Sequence, residues 1–314
     1  MRVLVVMDPV ERINPEGDTT LVLIEEMNRR GHAVEICGAE DLELERGEAA
    51  AVVSTVTAVD RVAFPCITLA GGQWRRLSDY DALFMRKDPP FDQAYYFYTL
   101  MLEQARGKTI LVNDPRGLRE ANEKLYIFNF PSLIPPTRVT RSLARLRDFL
   151  DRQDGQMIVK PLDMMGGAGI FHVQRDDRNT NSILETVTAG QTQLVMAQAY
   201  IPAVRKGDKR ILLLDGEAIG AVMRVPRDDE TRSNLHVGGS AQRTELDEHD
   251  RKIIATLAPR LRADGLYFVG IDVIGGQLTE VNVTSPTGIQ EIDRLEGVKL
   301  EARVVDWLER RVAA

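Results

Sequence analysis

The sequence predicts an α/β fold with more than one domain, in which a doubly wound N-terminal part precedes a part rich in strands and hairpins. The chain has 314 residues, and a single hydrophobic core stops growing at roughly 250–300 residues. Over the N-terminal third, apolar runs alternate with segments of helical spacing, which is typical of a parallel sheet covered by helices. After Pro135, short apolar runs separated by turns predominate.

The composition excludes several classes of protein. It is 44% hydrophobic and 28% charged, with a formal net charge of −7, as in ordinary globular proteins. Without a basic surplus, the chain is expected to have no nucleic-acid partner. The longest uncharged stretch, residues 186–204, is too rich in Gln and Thr to favour a membrane span or a membrane partner. Cys37 and Cys66 match no metal or disulfide pattern, which favours a cytoplasmic location.

The N-terminal elements follow from apolar runs and helix-ending residues. Residues 3–7 form a continuous apolar run, as expected for a strand covered on both faces. Residues 21–30 have helical spacing and end at Gly31, so they predict a helix. Further strands are predicted at 33–37, 81–85 and 109–112, with a helix at 93–104. Because no GxGxxG follows the first strand, a dinucleotide site there is not expected.

The remaining elements are predicted from turns and caps. Asp114 before Pro115 predicts one helix start, and Asn122 predicts another whose first turn contains Lys124. The strands and helices predicted beyond Pro135 are strands at 157–160, 170–173, 194–199, 210–214, 218–223, 266–274 and 278–284, and helices at 248–263 and 298–311.

A hairpin over residues 267–286 carries two carboxylates, Asp272 and Glu280, and the amide of Asn282. Glu280 and Asn282 are two residues apart and share a face. A three-residue turn at 275–277 pairs Asp272 with Glu280, whereas a two-residue turn places Asp272 on the opposite face. Adjacent carboxylates repel each other unless a cation intervenes, and such oxygen ligands suit Mg²⁺. The alternative is a solvated acidic face.

Two lysines and a glycine loop predict an anion site. Lys160 ends a strand, and Gly166 and Gly167 follow it in a loop that can bring backbone N–H groups close to phosphate oxygens. Lys124 lies near a helix start, where a helix dipole favours anions. A flexible hairpin tip and exposed lysines are the alternative interpretation.

Charged residues at strand ends and in a long loop complete the candidate set. Asp208 and Arg210 lie at the mouth of a strand, and an arginine suits planar oxyanions. Arg86 follows the strand at 81–85, at the edge where open α/β sheets bind ligands. Residues 225–243 lack periodicity and predict a lid. Solvated surface charge is the alternative in each case, and no Ser, Cys or His constellation predicts an enzyme nucleophile.

The ordered set of segments resembles the bacterial glutathione synthetases, a family of the ATP-grasp superfamily. The segments that carry the resemblance are MDPV, MRKDPPFD, NEKL, KPLDMMGGAGIF, GDKR, TRSNLHVGG, FVGIDVIG and TEVNVTSPTGIQEI. The resemblance implies an α/β and α+β ATP-grasp fold that binds ATP between two sheets. It implies an N-terminal domain at 1–121, a central domain at 122–200 and a C-terminal domain at 201–314. It also implies a homotetramer.

The resemblance further implies an ATP-dependent ligase that joins γ-glutamylcysteine and glycine through an acyl phosphate, with Mg²⁺, or alternatively Mn²⁺, as the metal. Arg210 is then the catalytic residue, and the metal ligands are Asp272, Glu280 and Asn282. The ATP-binding residues are Lys124, Lys160, Gly166, Gly167, Gln198, Ala199, Tyr200, Ile201 and Asp208. The substrate-binding residues are Arg86, Arg232, Gly238 and Gly239. Three residues replace the small ones typical of the family: Met164, Ser233 and His236.

Two other interpretations remain open. One is an ATP-grasp carboxylate–amine ligase that acts on a different peptide or amino acid. The other is a module that binds Mg·ATP without catalysis. A product assay separates the first from a glutathione-forming enzyme, and the absence of phosphate release with any acceptor identifies the second.

Overall fold

The computed structural model describes residues 1–164, 166–227 and 238–314. In these ranges the helices are α1 (Thr19–Arg29), α2 (Gln93–Leu102), α3 (Pro115–Glu120), α4 (Leu143–Arg152), α5 (Thr180–Val187), α6 (Glu248–Ala263), α7 (Ile289–Glu296) and α8 (Leu300–Ala313). The strands are β1 (Arg2–Val6), β2 (Ala33–Cys37), β3 (Leu42–Glu45), β4 (Glu48–Val59), β5 (Ile67–Arg76), β6 (Ala82–Met85), β7 (Ile110–Val112), β8 (Thr137–Thr140), β9 (Gln156–Pro161), β10 (Phe171–Gln174), β11 (Val195–Ala199), β12 (Asp208–Leu214), β13 (Glu217–Val225), β14 (Ser240–Arg243), β15 (Phe268–Ile274) and β16 (Gln277–Asn282). None of the described helices combines the length and the apolarity needed to span a membrane.

The N-terminal sheet has the order β3-β4-β2-β1-β6-β7, with β5 paired to β4. Strands β2, β1, β6 and β7 are parallel, which confirms the doubly wound prediction. The chain leaves β1 through α1 to β2 on one side, whereas β6 lies on the other side of β1. The carboxyl ends of β1 and β6 therefore border the crevice at which such sheets commonly bind ligands.

A long antiparallel ribbon extends this sheet and was missing from the predicted elements. Strands β4 and β5 pair along most of their length, and β3 pairs with the start of β4. The pattern was difficult to recognise because β4 consists largely of Ala, Val and Thr without clear alternation. In β5, Gly71 and Gly72 interrupt the apolar residues.

The remaining strands form two antiparallel sheets. The central sheet has the order β10-β9-β11-β8, and α4 and α5 pack on it around a small core that includes Leu146, Phe149 and Leu184. The C-terminal sheet has the order β14-β13-β12-β15-β16. Its apolar residues share their cores with the N-terminal sheet. The exact domain boundaries at 121 and 200 stay a prediction.

One buried asparagine contributes several hydrogen bonds to the contact between the N-terminal domain and the C-terminal sheet. The amide nitrogen of Asn113 donates to the carbonyl oxygens of Phe268 and Val283, at 2.8 and 2.7 Å, and its oxygen accepts from the Phe268 N–H at 2.7 Å. Nearby, a Cβ on Gly117 would lie 2.1 Å from the carbonyl oxygen of Asp264, so only glycine permits this approach. These contacts hold β7 and α3 against β15.

Two parts of the predicted secondary structure were wrong. No α-helix begins at Asn122; a turn leads into a short 3₁₀ helix, Tyr126–Asn129. The Asn122 side chain does accept from the backbone N–H groups of Lys124 and Leu125, both at 3.0 Å, but Pro131 soon follows and cannot extend a helix. Beyond Pro135 the helices α4, α5 and α7 were not predicted, because α4 and α5 are short and lie between strands and α7 has only eight residues.

Candidate active site

A cleft lies between the central sheet and the C-terminal sheet. One wall comes from β9, β11 and the glycine loop after β9, and the other comes from β12, β15 and β16. The residues that line it are Glu123, Lys124, Ile158, Lys160, Met164, Gly166, Gly167, Ala168, Ile170, Gln198, Ala199, Tyr200, Ile201, Val204, Asp208, Asp272, Ile274, Thr279 and Glu280. The cleft therefore gathers every predicted ATP-binding residue, with two of the three predicted metal ligands.

The acidic hairpin brings Asp272 and Glu280 together by a route that differs from the predicted one. The turn has two residues, since Ile274 pairs with Gln277, so the three-residue turn was wrong. The register then shifts, which leaves Thr279 as an extra residue in β16, and Asp272 pairs with Glu280. The predicted pairing of the carboxylates is therefore confirmed, and a β-bulge rather than the turn produces it.

Asp272 is held by two arginines on the C-terminal sheet. Arg210 Nε and Nη2 donate to its two carboxylate oxygens at 2.5 and 3.0 Å, and Arg224 Nη2 lies 3.0 Å from Oδ2. The Asn282 amide nitrogen is 3.4 Å from the same Oδ2. Burial alone would raise the pKa of Asp272, but the two guanidinium groups outweigh it and hold that pKa well below its usual range.

Arg224 and Asp208 complete a buried set of four charges, with Arg210 and Asp272. The two residues are paired across β12 and β13, and Arg224 Nη2 donates to Asp208 Oδ2. Burial and the neighbouring Asp272 raise the pKa of Asp208 to about 6, against the opposing effect of Arg224. Arg224 was not predicted as a site residue. Ile219 is an extra residue in β13 and shifts the register of the β12–β13 pair after the Asp215-Gly216 turn. Counting residues outward from that turn therefore does not pair Asp208 with Arg224.

Two lysines lie beside the carboxylates: Lys160 comes from β9 on the opposite wall, and Lys124 comes from a segment that is hydrogen-bonded to β16, since the Glu123 carbonyl accepts from the Val281 N–H at 2.9 Å. Lys124 is buried, and its Nζ donates to the Met164 carbonyl at 2.6 Å and to the Glu123 carboxylate. Lys160 Nζ is 3.4 Å from Glu280 Oε1. Sequence reasoning missed Glu123, although it directly precedes Lys124. Its pKa is raised by burial and by the charge of Glu280, partly offset by Lys124.

The far end of the cleft is flatter and less charged. Gln198 is buried and donates from Nε2 to Thr137 Oγ1 at 3.2 Å. The Tyr200 ring stacks on His172, with the centroids 4.1 Å apart and the planes 14° apart. Gly166 and Gly167 have φ values of 65° and 82°, a left-handed conformation that glycine adopts without strain. Such a surface can hold a planar ring at one end and phosphates at the other.

The predicted substrate residues that the structure describes, Arg86, Gly238 and Gly239, are not among the residues that line the cleft. Arg86 is buried in the N-terminal domain, where its Nε donates to Thr20 Oγ1 at 3.0 Å and its Nη2 to the Pro286 carbonyl at 3.1 Å. Gly238 and Gly239 follow the undescribed segment and are not among the residues that line the cleft. Arg232 lies outside the described residues, as do Ser233 and His236. Their substrate-binding roles stay predictions. Met164, in contrast, lines the cleft and is half-exposed.

The oxygen atoms available in the cleft suit a divalent metal that is also bound by phosphate and water. Within the described ranges, no group of three His, Cys, Asp or Glu side chains forms a ready metal cage. Glu280 supplies carboxylate oxygens, and the Asn282 amide turns its nitrogen toward Asp272, which leaves its carbonyl oxygen as an acceptor. Oδ2 of Asp272 contacts Arg210, Arg224 and Asn282, whereas Oδ1 accepts only from Arg210 Nε, which leaves Oδ1 with a lone pair for a metal. Few hard oxygen ligands suit a cation that is also held by phosphates and water.

The architecture defines the class of protein. The cleft between two antiparallel sheets is the nucleotide-binding arrangement of ATP-grasp proteins. A solved D-cycloserine synthetase has a similar structure, with a TM-score of 0.72 and 18% identity over 99% of this chain and 100% of that one. An ATP-grasp ligase solved with its precursor peptide and AMPPNP gives a TM-score of 0.63 and 15% identity, over 99% and 98% of the two chains. These likenesses show the ATP-grasp fold, as predicted.

Sequence comparisons identify the family. Residues 1–119 match the N-terminal domain of prokaryotic glutathione synthetase, and residues 123–297 match its ATP-grasp domain. A glutathione synthetase of Gloeobacter violaceus is 48% identical, over 98% of this chain and 96% of that protein. One from Synechocystis sp. is 45% identical, over 99% and 100%. The chain therefore belongs to the prokaryotic glutathione synthetase family, and the resemblance drawn from the sequence motifs is confirmed.

The raised pKa of Asp208 predicts a specific dependence of stability on pH. Because the folded protein binds this proton more tightly than the unfolded chain does, the stabilisation is lost as the pH rises from the ordinary value toward about 6. We expect the free energy of unfolding of the wild type to fall by about 1–3 kcal/mol relative to Asp208→Asn between about pH 4 and about pH 7. Denaturant titration at several pH values measures it.

The exposed Asp176 provides a matched control. The difference in unfolding free energy between Asp176→Asn and the wild type should stay flat over this range of pH. A flat difference for Asp208→Asn as well would contradict the raised pKa.

Proposed function

We propose that the protein forms glutathione by joining γ-glutamylcysteine to glycine, with ATP converted to ADP and phosphate. The observation that carries the proposal is the cleft itself, which gathers Lys124, Lys160 and the glycine loop together with Glu280 and Asp272. The family supports the activity, since its members use ATP and a divalent metal. We propose Mg²⁺ as that metal, with Mn²⁺ as an alternative, because the available ligands are hard oxygens.

The reaction must overcome the low reactivity of a carboxylate toward an amine. The cysteinyl carboxylate attacks the γ-phosphorus of ATP, ADP leaves, and an acyl phosphate is formed. The amine of glycine then attacks the acyl carbon, and phosphate leaves as the amide forms. No enzyme nucleophile is needed, so the protein contributes orientation, charge compensation and exclusion of water.

Each charged side chain of the cleft has a distinct part in this proposal. Lys124 and Lys160 compensate phosphate charge, and the glycine loop supplies backbone donors. Glu280 and Asn282, with Asp272, would hold the metal, which would neutralise phosphate charge when bound. Arg210 stabilises the oxyanion of the acyl phosphate and of the tetrahedral intermediate. Gln198 and the three residues after it receive the adenine.

The two alternative functions are less well supported. The structural neighbours include ligases that act on other substrates, but at 15–18% identity they show the fold alone. A module without catalysis would not need the buried set around Arg210.

The deciding experiment measures phosphate release and product with ATP, Mg²⁺, γ-glutamylcysteine and glycine, omitting each in turn. Glutathione formation that requires all four supports the proposal. Release without glutathione would point to another ligase.

Replacing Glu280 with glutamine tests the metal assignment. Glu280→Gln keeps the shape but removes a charge that holds the metal, so we expect kcat to fall by about 100-fold or more and the Mg²⁺ requirement to rise. Initial rates over a series of Mg²⁺ concentrations measure both effects. Glu217→Gln, at a side chain that is 83% exposed, is the control and should match the wild type. Unchanged turnover of Glu280→Gln at limiting Mg²⁺ would contradict the assignment.

Arg210→Lys tests the catalytic role of the guanidinium. Lysine keeps the positive charge beside Asp272 but loses the planar fork, so we expect kcat to fall by about 10–100-fold with little change in the KM for ATP. Steady-state kinetics with each substrate varied separates these parameters. Arg116→Lys, on the exposed surface of α3, is the control. An effect confined to the KM for ATP would reassign Arg210 to nucleotide binding.

We also propose that the chain forms a homo-oligomer, a tetramer by its family resemblance. Within the described residues, β5 pairs only with β4, so its outer edge is open. Val62, Phe64 and Trp74 along this ribbon are 96%, 82% and 51% exposed. Light scattering is expected to give four times the 35.1 kDa of one chain. A mass of 35.1 kDa would contradict self-association.

The cytoplasmic location stays a prediction of the sequence.

A further inference from the structure

Met164 is the only residue with a sulfur atom among the described residues that line the nucleotide cleft. In the chain it lies between Lys160 and the glycine loop. It is 47% exposed, more than any other methionine that the structure describes. An oxidant in solution can therefore reach this thioether, and oxidation converts a flexible apolar side chain into a polar one.

The backbone of Met164 is held by the segment that carries Lys124. Asn122 Nδ2 donates to the Leu162 carbonyl at 3.0 Å, and Lys124 Nζ donates to the Met164 carbonyl at 2.6 Å. Lys124 is the buried lysine assigned above to phosphate charge. A change at Met164 therefore acts on a residue that is directly hydrogen-bonded to this ammonium group.

The sulfur atom of Met164 packs beside the end of the glycine loop. A Cβ placed on Gly169 would lie 3.1 Å from Met164 Sδ and 2.8 Å from Pro161 Cγ. An oxygen added to the sulfur on this side would crowd Gly169 unless the loop moves. An oxygen added on the other side would enter the cleft that Met164 lines. Either outcome alters the space beside the predicted phosphate-binding groups.

The other sulfur atoms that the structure describes are better protected from an oxidant. Cys37 and Cys66 are 6% and 3% exposed, and burial raises the pKa of both thiols, which disfavours the reactive thiolate. The remaining described methionines are buried or half-buried, and they are Met1, Met7, Met27, Met85, Met101, Met157, Met196 and Met223. Among the described residues, oxidation at sulfur is therefore expected first at Met164.

We propose that Met164 is a reversible oxidation site, at which a peroxide lowers the affinity of the cleft for Mg·ATP. The sulfur attacks one peroxide oxygen, so that an S–O bond forms and the O–O bond breaks. The proton on the transferred oxygen passes to the departing hydroxide, which becomes water. The sulfur is thereby oxidised by two electrons, and the peroxide is reduced.

The sulfoxide oxygen is a polar acceptor that the thioether lacks. It competes with phosphate oxygens for Lys124, Lys160 and the N–H groups of the glycine loop, and its partial negative charge repels them. The inference goes beyond the proposed function, because it concerns the affinity for nucleotide whichever amine receives the acyl group.

The test measures the Kd for Mg·ATP by calorimetry, without the other substrates, before and after treatment with hydrogen peroxide. Peptide mass spectrometry locates each added oxygen. For the wild type we expect the Kd to rise by about 3–10-fold when Met164 carries one oxygen, the range of one lost hydrogen bond. Methionine sulfoxide reductases should then restore the original Kd. Met164→Leu has a similar volume and no sulfur, so treatment should leave its own Kd unchanged.

A variant of the adjacent methionine is the matched control. Met165→Leu should respond to peroxide as the wild type does, and its protection in place of Met164→Leu would overturn the assignment. An unchanged Kd in wild type that carries the Met164 sulfoxide would also overturn it, as would a Met164 left unmodified by peroxide that oxidises free methionine. These failures leave glutathione formation by untreated protein intact. An untreated protein that makes no glutathione would instead overturn the proposed function.

Discussion

The buried set of Arg210, Arg224, Asp208 and Asp272 is the constraint on which the rest of the cleft depends. Isolated charges of this kind cannot be buried in a sheet without a large desolvation penalty, and each one here faces an opposite charge. The β-bulges in β13 and β16 set the registers that bring the four together. The set holds two guanidinium groups against Asp208 and Asp272, the two members of the set that line the cleft.

The second constraint is the docking of the N-terminal domain on the C-terminal sheet. Asn113 satisfies three backbone groups across this contact, and residues 285–287 continue it to the end of β6. The same segment therefore contacts both the N-terminal domain and Arg210. The end of β6 and Arg210 are thereby held in a fixed relation to each other.

The sequence allowed the fold class to be predicted, because the alternation of apolar runs and helical segments reflects the layers directly. It also allowed most of the cleft to be predicted, since Lys160, the glycines and the acidic hairpin keep a fixed order. The sequence did not indicate the register in which the strands pair. A bulge leaves no strong mark in the sequence, so Arg224 was missed, and the pairing of Asp272 was reached through the wrong turn. Glu123 was missed because its significance comes from the charge of Glu280, which is distant in the chain.

The most direct test of the central claim, phosphoryl transfer to the substrate carboxylate, follows the oxygen atoms. γ-Glutamylcysteine labelled with ¹⁸O in the cysteinyl carboxylate is incubated with the protein, ATP, Mg²⁺ and glycine, and the released phosphate is examined by mass spectrometry. If an acyl phosphate is formed, we expect one ¹⁸O atom in the phosphate for each glutathione formed from fully labelled substrate. Glutathione formed with unlabelled phosphate would contradict an acyl phosphate and, with it, the role assigned to Arg210.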